Sequence, residues 1–267
     1  MTIEHRHNPL IGAQWALAAS AATALIHLLM RWVDLHPFLV VFWRNAVCLV
    51  LILPAVVAIR AWRAERLALS RHALRGIVNT GAMVTLVMGL NRIPFAEATA
   101  LTFASAPFVL FGSIIFLGER PGPVRWLSAL LGLLGVIIVA PPGVGWLGSG
   151  GMLVLTSAAL FAAANLVGKA QVYVASNLSI LFYLYAALTF FCAPRAASVW
   201  QWPDGDAFLL IAAMALVAIF AHYAFIAALR WADVSFLALF DYLRLIWGAL
   251  ISIFVFEEAL EPSLIVG

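Results

Sequence analysis

The sequence predicts an all-α integral membrane protein, built as two inverted repeats of five transmembrane helices with the tenth helix missing. Three observations predict it. Of 267 residues, 65% are hydrophobic and only 10% charged, with a mean hydropathy of +1.06, where soluble domains run at about 45–50% apolar and about 25% charged. A soluble fold of this size would need far more polar surface. Nine apolar runs approach the roughly 20 residues that cross a bilayer core. The second half also restates the first. The same composition excludes a disordered, collagen-like or nucleic-acid-binding chain, and the net charge of +3 reflects few charges rather than a basic face.

The runs lie at about 10–30, 36–59, 73–91, 94–117, 126–140, 150–168, 178–199, 207–229 and 233–256. The first follows a short polar N-terminus. It continues past the Ala-rich stretch at 16–22, which argues for a span over a cleaved signal peptide. The second is opened by Asp34-Leu35-His36-Pro37, and an arginine-rich segment separates it from the third. The fourth stops at Gly118-Glu119-Arg120-Pro121-Gly122-Pro123. The fifth is short and glycine-containing and stops at Pro141-Pro142-Gly143, and the seventh stops at Trp202-Pro203-Asp204-Gly205-Asp206. Such Pro/Gly/Asp clusters are turn chemistry, so the loops are tight and no large soluble domain exists. Most of the Trp residues stand near span ends, as an interfacial belt requires.

Lys and Arg on alternate loops set the orientation. With the N-terminus in the cytoplasm, the inside segments carry Arg6, Arg60, Arg63, Arg66, Arg71, Arg75, Arg120, Arg125, Lys169 and Arg230, against Arg31, Arg92 and Arg195 outside. An N-in protein of the cell (inner) membrane is expected.

The internal repeat has an interval of 139 residues. It carries Gly12 onto Gly151, Leu117-Gly118-Glu119 onto Phe256-Glu257-Glu258, and Pro54 to within one residue of Pro194. A unit of five spans has an odd count, so its second copy inserts upside down. Inverted repeats are a recurring plan of secondary transporters, with substrate sites near the midplane. The first repeat is expected over 10–140 and the second over 150–267. The chain stops where a tenth helix would begin, so a fragment of a ten-span protein, with weakened or absent activity, is expected.

Leu117-Gly118-Glu119-Arg120, then Arg125-Trp126 and Gly132-Leu133-Leu134-Gly135-Val136-Ile137-Ile138, resembles the close of the first half in EamA-type transporters of the drug/metabolite transporter superfamily. Phe42-Trp43-Arg44-Asn45, Pro94 with Ala96-Glu97-Ala98, Pro107, and Phe240-Asp241-Tyr242-Leu243-Arg244-Leu245 followed by Phe256-Glu257-Glu258 are similar to further stretches of that family. The likeness runs from about 11 to 267. Its departures are the absent tenth helix and Glu257-Glu258 where the family has Gly-Glu. The resemblance implies a ten-helix carrier of small organic metabolites, often an exporter.

Ionisable groups at mid-span cost roughly 2.5–3.5 kcal/mol on insertion scales and mark function by default. Arg44 lies about 12 Å into the second span at 1.5 Å per residue, and Asp241 and Arg244 share a face of the ninth. Arg44 and Arg244 are the candidate substrate-binding cations, guanidinium geometry suiting carboxylate or phosphate. Asp241 would hold Arg244 or carry a coupling proton, and Tyr242 would offer a hydroxyl. The alternative is structural: Asp241 and Arg244 neutralise each other, and Arg44 snorkels or bonds backbone. Asn79, Asn165, His222 and Tyr223 are further candidates for the cavity or for bonds between helices. Glu97 is expected to be solvated or capping, and Glu119 and Glu258 to anchor turns.

Cys48 and Cys192 lie in apolar runs and read as buried hydrophobes. No phosphate-binding Gly loop or metal-ligand motif appears, so neither cofactor nor metal is expected. The reading is a secondary active transporter, not an enzyme. It would move an amino acid or related anionic or zwitterionic solute by alternating access, with export as the expected direction. The lipid bilayer and a small metabolite are its partners, with a homodimer left open and no nucleic acid. A membrane-embedded transferase is the alternative; Asp204 and Asp206 are its nearest carboxylate pair, although Pro-Asp-Gly-Asp is a more natural turn. A channel ranks third.

Overall fold

The structure, a computed structural model, describes residues 8–61, 63, 66–90, 92–93, 98, 101–139, 148–244, 246–247 and 250. Among these the chain is helical, with no strand. The helices are α1 (Pro9–Arg31), α2 (Pro37–Ala58), α3 (Arg66–Leu90), α4 (Ser105–Leu117), α5 (Pro123–Val139), α6 (Ser149–Gln171), α7 (Asn177–Ser198), α8 (Gly205–Trp231) and α9 (Val234–Leu237), and a 3₁₀ turn over Ala238–Tyr242 follows. Five apolar stretches are long enough to cross a membrane: Pro9–Met30, Pro37–Ala58, Ser149–Gln171, Asn177–Ser198 and Gly205–Trp231. This is an all-α, multi-pass membrane protein.

Local sequence explains the helix starts. Pro9, Pro37 and Pro123 occupy first helical positions, where the missing N–H costs nothing. Asn8, Ser176 and Asp204 cap α1, α7 and α8 through their side-chain oxygens. Gly118 closes α4 at φ +67°, a left-handed conformation that glycine reaches without penalty. Pro54 and Pro194 each lie inside a helix, α2 and α7.

Two expectations differ from the structure. α3 starts at Arg66 rather than near 73, which takes Arg71 and Arg75 out of a loop and into the bundle. The last described span is no continuous α-helix, since α9 tightens into 3₁₀ geometry through Asp241 and Tyr242. Its counterpart before α4 is also interrupted, by a turn at Phe103–Ala104. Pro94, Ala96, Glu97, the tail from 251 that holds Glu257 and Glu258, and the 140–147 connection lie outside the described residues.

The packing is organised by helix pairs. α3 lies along α6 and α1 along α8; α2 meets α7; α3 also touches α7 and α2 touches α8. Exchanging α1, α2 and α3 for α6, α7 and α8 leaves this set of pairs unchanged. The exchange extends to side chains. Gly76 of α3 packs against Ala187 of α7, and the Cys48 thiol of α2 reaches the Ala215 carbonyl of α8 at 3.4 Å. Residues 215 and 187 stand 139 beyond 76 and 48.

α1 and α8 run antiparallel, the Asn8 amide donating to the Trp231 carbonyl at 3.0 Å. So do α3 and α6, where the Ser157 hydroxyl donates to the Ala82 carbonyl at 2.7 Å. Gly12 sits against Ala232 at the end of α8, Gly89 against Val154 of α6 and Gly76 against Ala187 of α7, and an added Cβ at each would strike that neighbour. Close backbone approach through small residues is how apolar helices associate without a hydrophobic driving force between them.

Candidate substrate site

A polar seam runs where α2, α3, α6, α7 and α8 meet. From α2 comes Arg44, half-buried, whose Nε has no hydrogen-bond partner. From α3 come His72 and Arg75, only 3% and 5% exposed. Arg75 Nη1 donates to Gln171 Oε1 at 3.0 Å, and Gln171 Nε2 lies 2.9 Å from His72 Nδ1. The His72 ring stacks on Tyr183 at 4.5 Å. Tyr185 of α7 lies 2.9 Å from His222 Nδ1 of α8, and its hydroxyl also reaches the Ala218 carbonyl at 3.2 Å. Arg44 and Arg75 are both within electrostatic reach of Tyr185 and His222, and Arg44 also of Cys48 and Cys192. Neither arginine is ion-paired with a carboxylate among the described residues.

Arg244 sits elsewhere and is compensated. Its Nε is 3.8 Å from Asp241 Oδ1 and donates to the Asp241 carbonyl at 3.2 Å, and its guanidinium lies 5.3 Å over the Phe103 ring. Asp241 lies in the 3₁₀ turn, which ends at Tyr242, and Arg244 in the helical residues that follow, and the spacing of three keeps the two on one face. Tyr242 stacks on Phe103 with centroids 5.8 Å apart and presses on the backbone of Gly132. Its hydroxyl is buried without a partner.

Of the other sequence candidates, His222 enters the seam through Tyr185, and Asn79 and Asn165 are half-buried on the packed pair α3 and α6. Tyr223 does not join them: it is 42% exposed, on one stripe of α8 with Leu209, Leu216 and Phe220, and edge-on to Trp15 at 6.2 Å. Sequence reasoning missed His72, Arg75, Gln171 and Tyr185. Arg75 and Lys169, which the sequence places among the inside loop charges, are both buried in helices.

A second cluster closes the end of the bundle that holds Asn8. Glu119 accepts from the Val234 and Ser235 amides at 2.9 and 3.2 Å, capping α9, so it anchors a helix of the other half rather than the turn into α5. Arg125 pairs with Asp233 at 2.8 Å, and Lys169 donates to the Leu229 and Ala232 carbonyls at 2.7 and 2.6 Å. Burial first, then the charges of Glu119 and Asp233, hold the Tyr173 phenol in the adjoining loop above its usual range.

Comparison with known proteins decides the family. Residues 10–140 match the EamA-like transporter family. A riboflavin transporter of Rhizobium johnstonii is 28% identical over 251 residues, covering 88% of this chain and 80% of that protein. An S-adenosylmethionine uptake transporter of Rickettsia bellii is 26% identical over 262 residues, covering 96% and 89%.

The chain belongs with the EamA-type drug/metabolite transporters.

A crystal structure of another protein superposes on this EamA-type chain with a TM-score of 0.78, covering 96% of it and 91% of that chain at 19% identity, so the fold is shared. The chain is accordingly a membrane transporter of a small metabolite.

Proposed function

We propose that this chain is a secondary carrier of the inner membrane, with its N-terminus in the cytoplasm. It works by alternating access between inverted repeats at 10–140 and 150–267. The helix pairs that survive exchange of the two halves support the repeats, and the charge bias of the loops supports the orientation. The substrate is a small polar metabolite with an acceptor group, carboxylate or phosphate, bound near the midplane. Arg44 would bind that group, Tyr242 would line the path, and the Asp241–Arg244 pair would fix the interrupted span that meets Phe103 or carry a coupling proton.

One observation carries the reading: Arg44 is a mid-span cation with an unpartnered donor and no counter-charge among the described residues. A structural arginine at that depth would be expected to have its partners. The uptake role of the Rickettsia bellii relative favours inward movement over the export expected from the family resemblance. The test is accumulation of a labelled metabolite panel, riboflavin and S-adenosylmethionine included, in cells expressing the chain, beside Arg44→Ala at equal membrane level. Saturable movement lost in the variant supports the assignment; movement retained in the variant removes Arg44 from the site.

A further inference from the structure

We infer that Arg75 is the second cation of the substrate site, that Gln171 and His72 hold it in aim, and that the site takes a doubly anionic group of the phosphomonoester or dicarboxylate class. The inference rests on Arg44 facing substrate.

The geometry supplies the argument. Arg75 lies on α3 with 5% of its surface exposed, one Nη spent on Gln171 and its Nε without a partner. A buried guanidinium normally has its donors filled and its charge matched, because taking an ion out of water is costly unless both conditions hold. Here an amide, not a carboxylate, faces it. Gln171 is itself fixed at both ends: Oε1 accepts from Arg75, so Nε2 is the donor toward His72 Nδ1. That leaves His72 in the tautomer with hydrogen on Nε2, and this nitrogen too is buried and unpartnered. Stacking on Tyr183 sets the plane of the ring. The relay therefore positions the guanidinium without neutralising it, and leaves a second unpartnered donor in His72.

Arg44 supplies the other uncompensated charge. Both guanidiniums act on Tyr185 and His222, which are bonded to each other across α7 and α8. One buried and one half-buried positive charge, with no carboxylate paired to either among the described residues, call for two negative charges from the ligand. Guanidinium forks suit planar carboxylate and tetrahedral phosphate oxygens. Arg244 cannot be the second cation, because Asp241 already stands beside it.

The experiment uses the full chain purified in detergent and follows thermal unfolding against inorganic phosphate, succinate, riboflavin and riboflavin 5′-phosphate. The wild type should be stabilised by phosphate and by succinate, and riboflavin 5′-phosphate should act at lower concentration than riboflavin. Arg75→Gln should weaken the anion response about 10- to 100-fold, the worth of a charge-assisted bond. Gln171→Glu gives Arg75 a carboxylate in place. This variant should unfold at a higher temperature than wild type and lose the anion response, which a folding defect would not mimic. An anion response in Gln171→Glu equal to wild type, or riboflavin and its phosphate acting alike, overturns the inference. Loss of the response in Arg75→Gln and Gln171→Glu but not in Arg44→Ala would instead overturn the Arg44 assignment on which it rests.

Discussion

Phe103 and Tyr242 stack on each other, ring centroids 5.8 Å apart and planes 25° from parallel. The two residues stand 139 positions apart in the chain, the interval at which its halves repeat. Each sits where a span departs from α-helical geometry, Phe103 in the turn before α4 and Tyr242 at the end of the 3₁₀ segment. In a carrier of inverted repeats, broken helices gather at the midplane because unwound backbone is tolerated only where protein or a cavity covers it.

Gly132 is the floor under that stack. A Cβ there would run into the Tyr242 ring, so Gly132→Ala must displace Tyr242 from Phe103. The expected result is a loss of about 1–3 kcal/mol, the usual cost of overpacking, with transport impaired more than membrane insertion. Thermal unfolding and uptake measured on the same preparation check it.

Glu119→Ala removes the cap of α9 and opens the closure between α4 and α9. It should cost about 1–2 kcal/mol, the upper range for a lost N-cap. Glu119→Gln should recover only part of this, since an amide oxygen accepts fewer bonds than a carboxylate. Unfolding temperatures of the three proteins decide it.

Asp241→Ala leaves the Arg244 guanidinium with no carboxylate beside it. The pair is half-buried and 3.8 Å apart, so the loss should fall below the roughly 3–5 kcal/mol of a fully buried pair. The double variant Asp241→Ala, Arg244→Ala should be more stable than Asp241→Ala alone. A double-mutant cycle reads the difference; strict additivity would mean the two charges are uncoupled.

Tyr185→Phe keeps the ring and deletes its bonds to His222 and the Ala218 carbonyl. The expected stability loss is about 1 kcal/mol, small because His222 retains its packing. Uptake should fall further than stability if the hydroxyl orders the seam around Arg44 and Arg75.

Span positions were legible because they depend on local chemistry: Asp34-Leu35-His36-Pro37 marks where one span starts and Gly118-Glu119-Arg120-Pro121-Gly122-Pro123 where another stops. Arg44 and the Asp241–Arg244 pair were visible because a charge inside an apolar run is costly and stands out from its neighbours. Arg75 was not, since four arginines upstream made its segment look like a loop. Only the packing of α3 against α6 and α7 reveals that the helix begins at Arg66 and that Arg75 turns inward to Gln171. Tyr223 illustrates the converse: neighbours in sequence, it and His222 point to different sides of α8, and only the partners Trp15 and Tyr185 distinguish them. Glu119 was read as an anchor, but its partner helix lies 115 residues away, beyond any local rule.

The central claim is that an uncompensated Arg44 binds the substrate of an alternating-access carrier. Its most direct test is counterflow in proteoliposomes holding the full chain, loaded with each candidate metabolite and given the labelled compound outside, for wild type and Arg44→Ala at equal protein. Transient accumulation of label is expected with the wild type for at least one solute, and none with the variant. Accumulation of the same size in Arg44→Ala would contradict it.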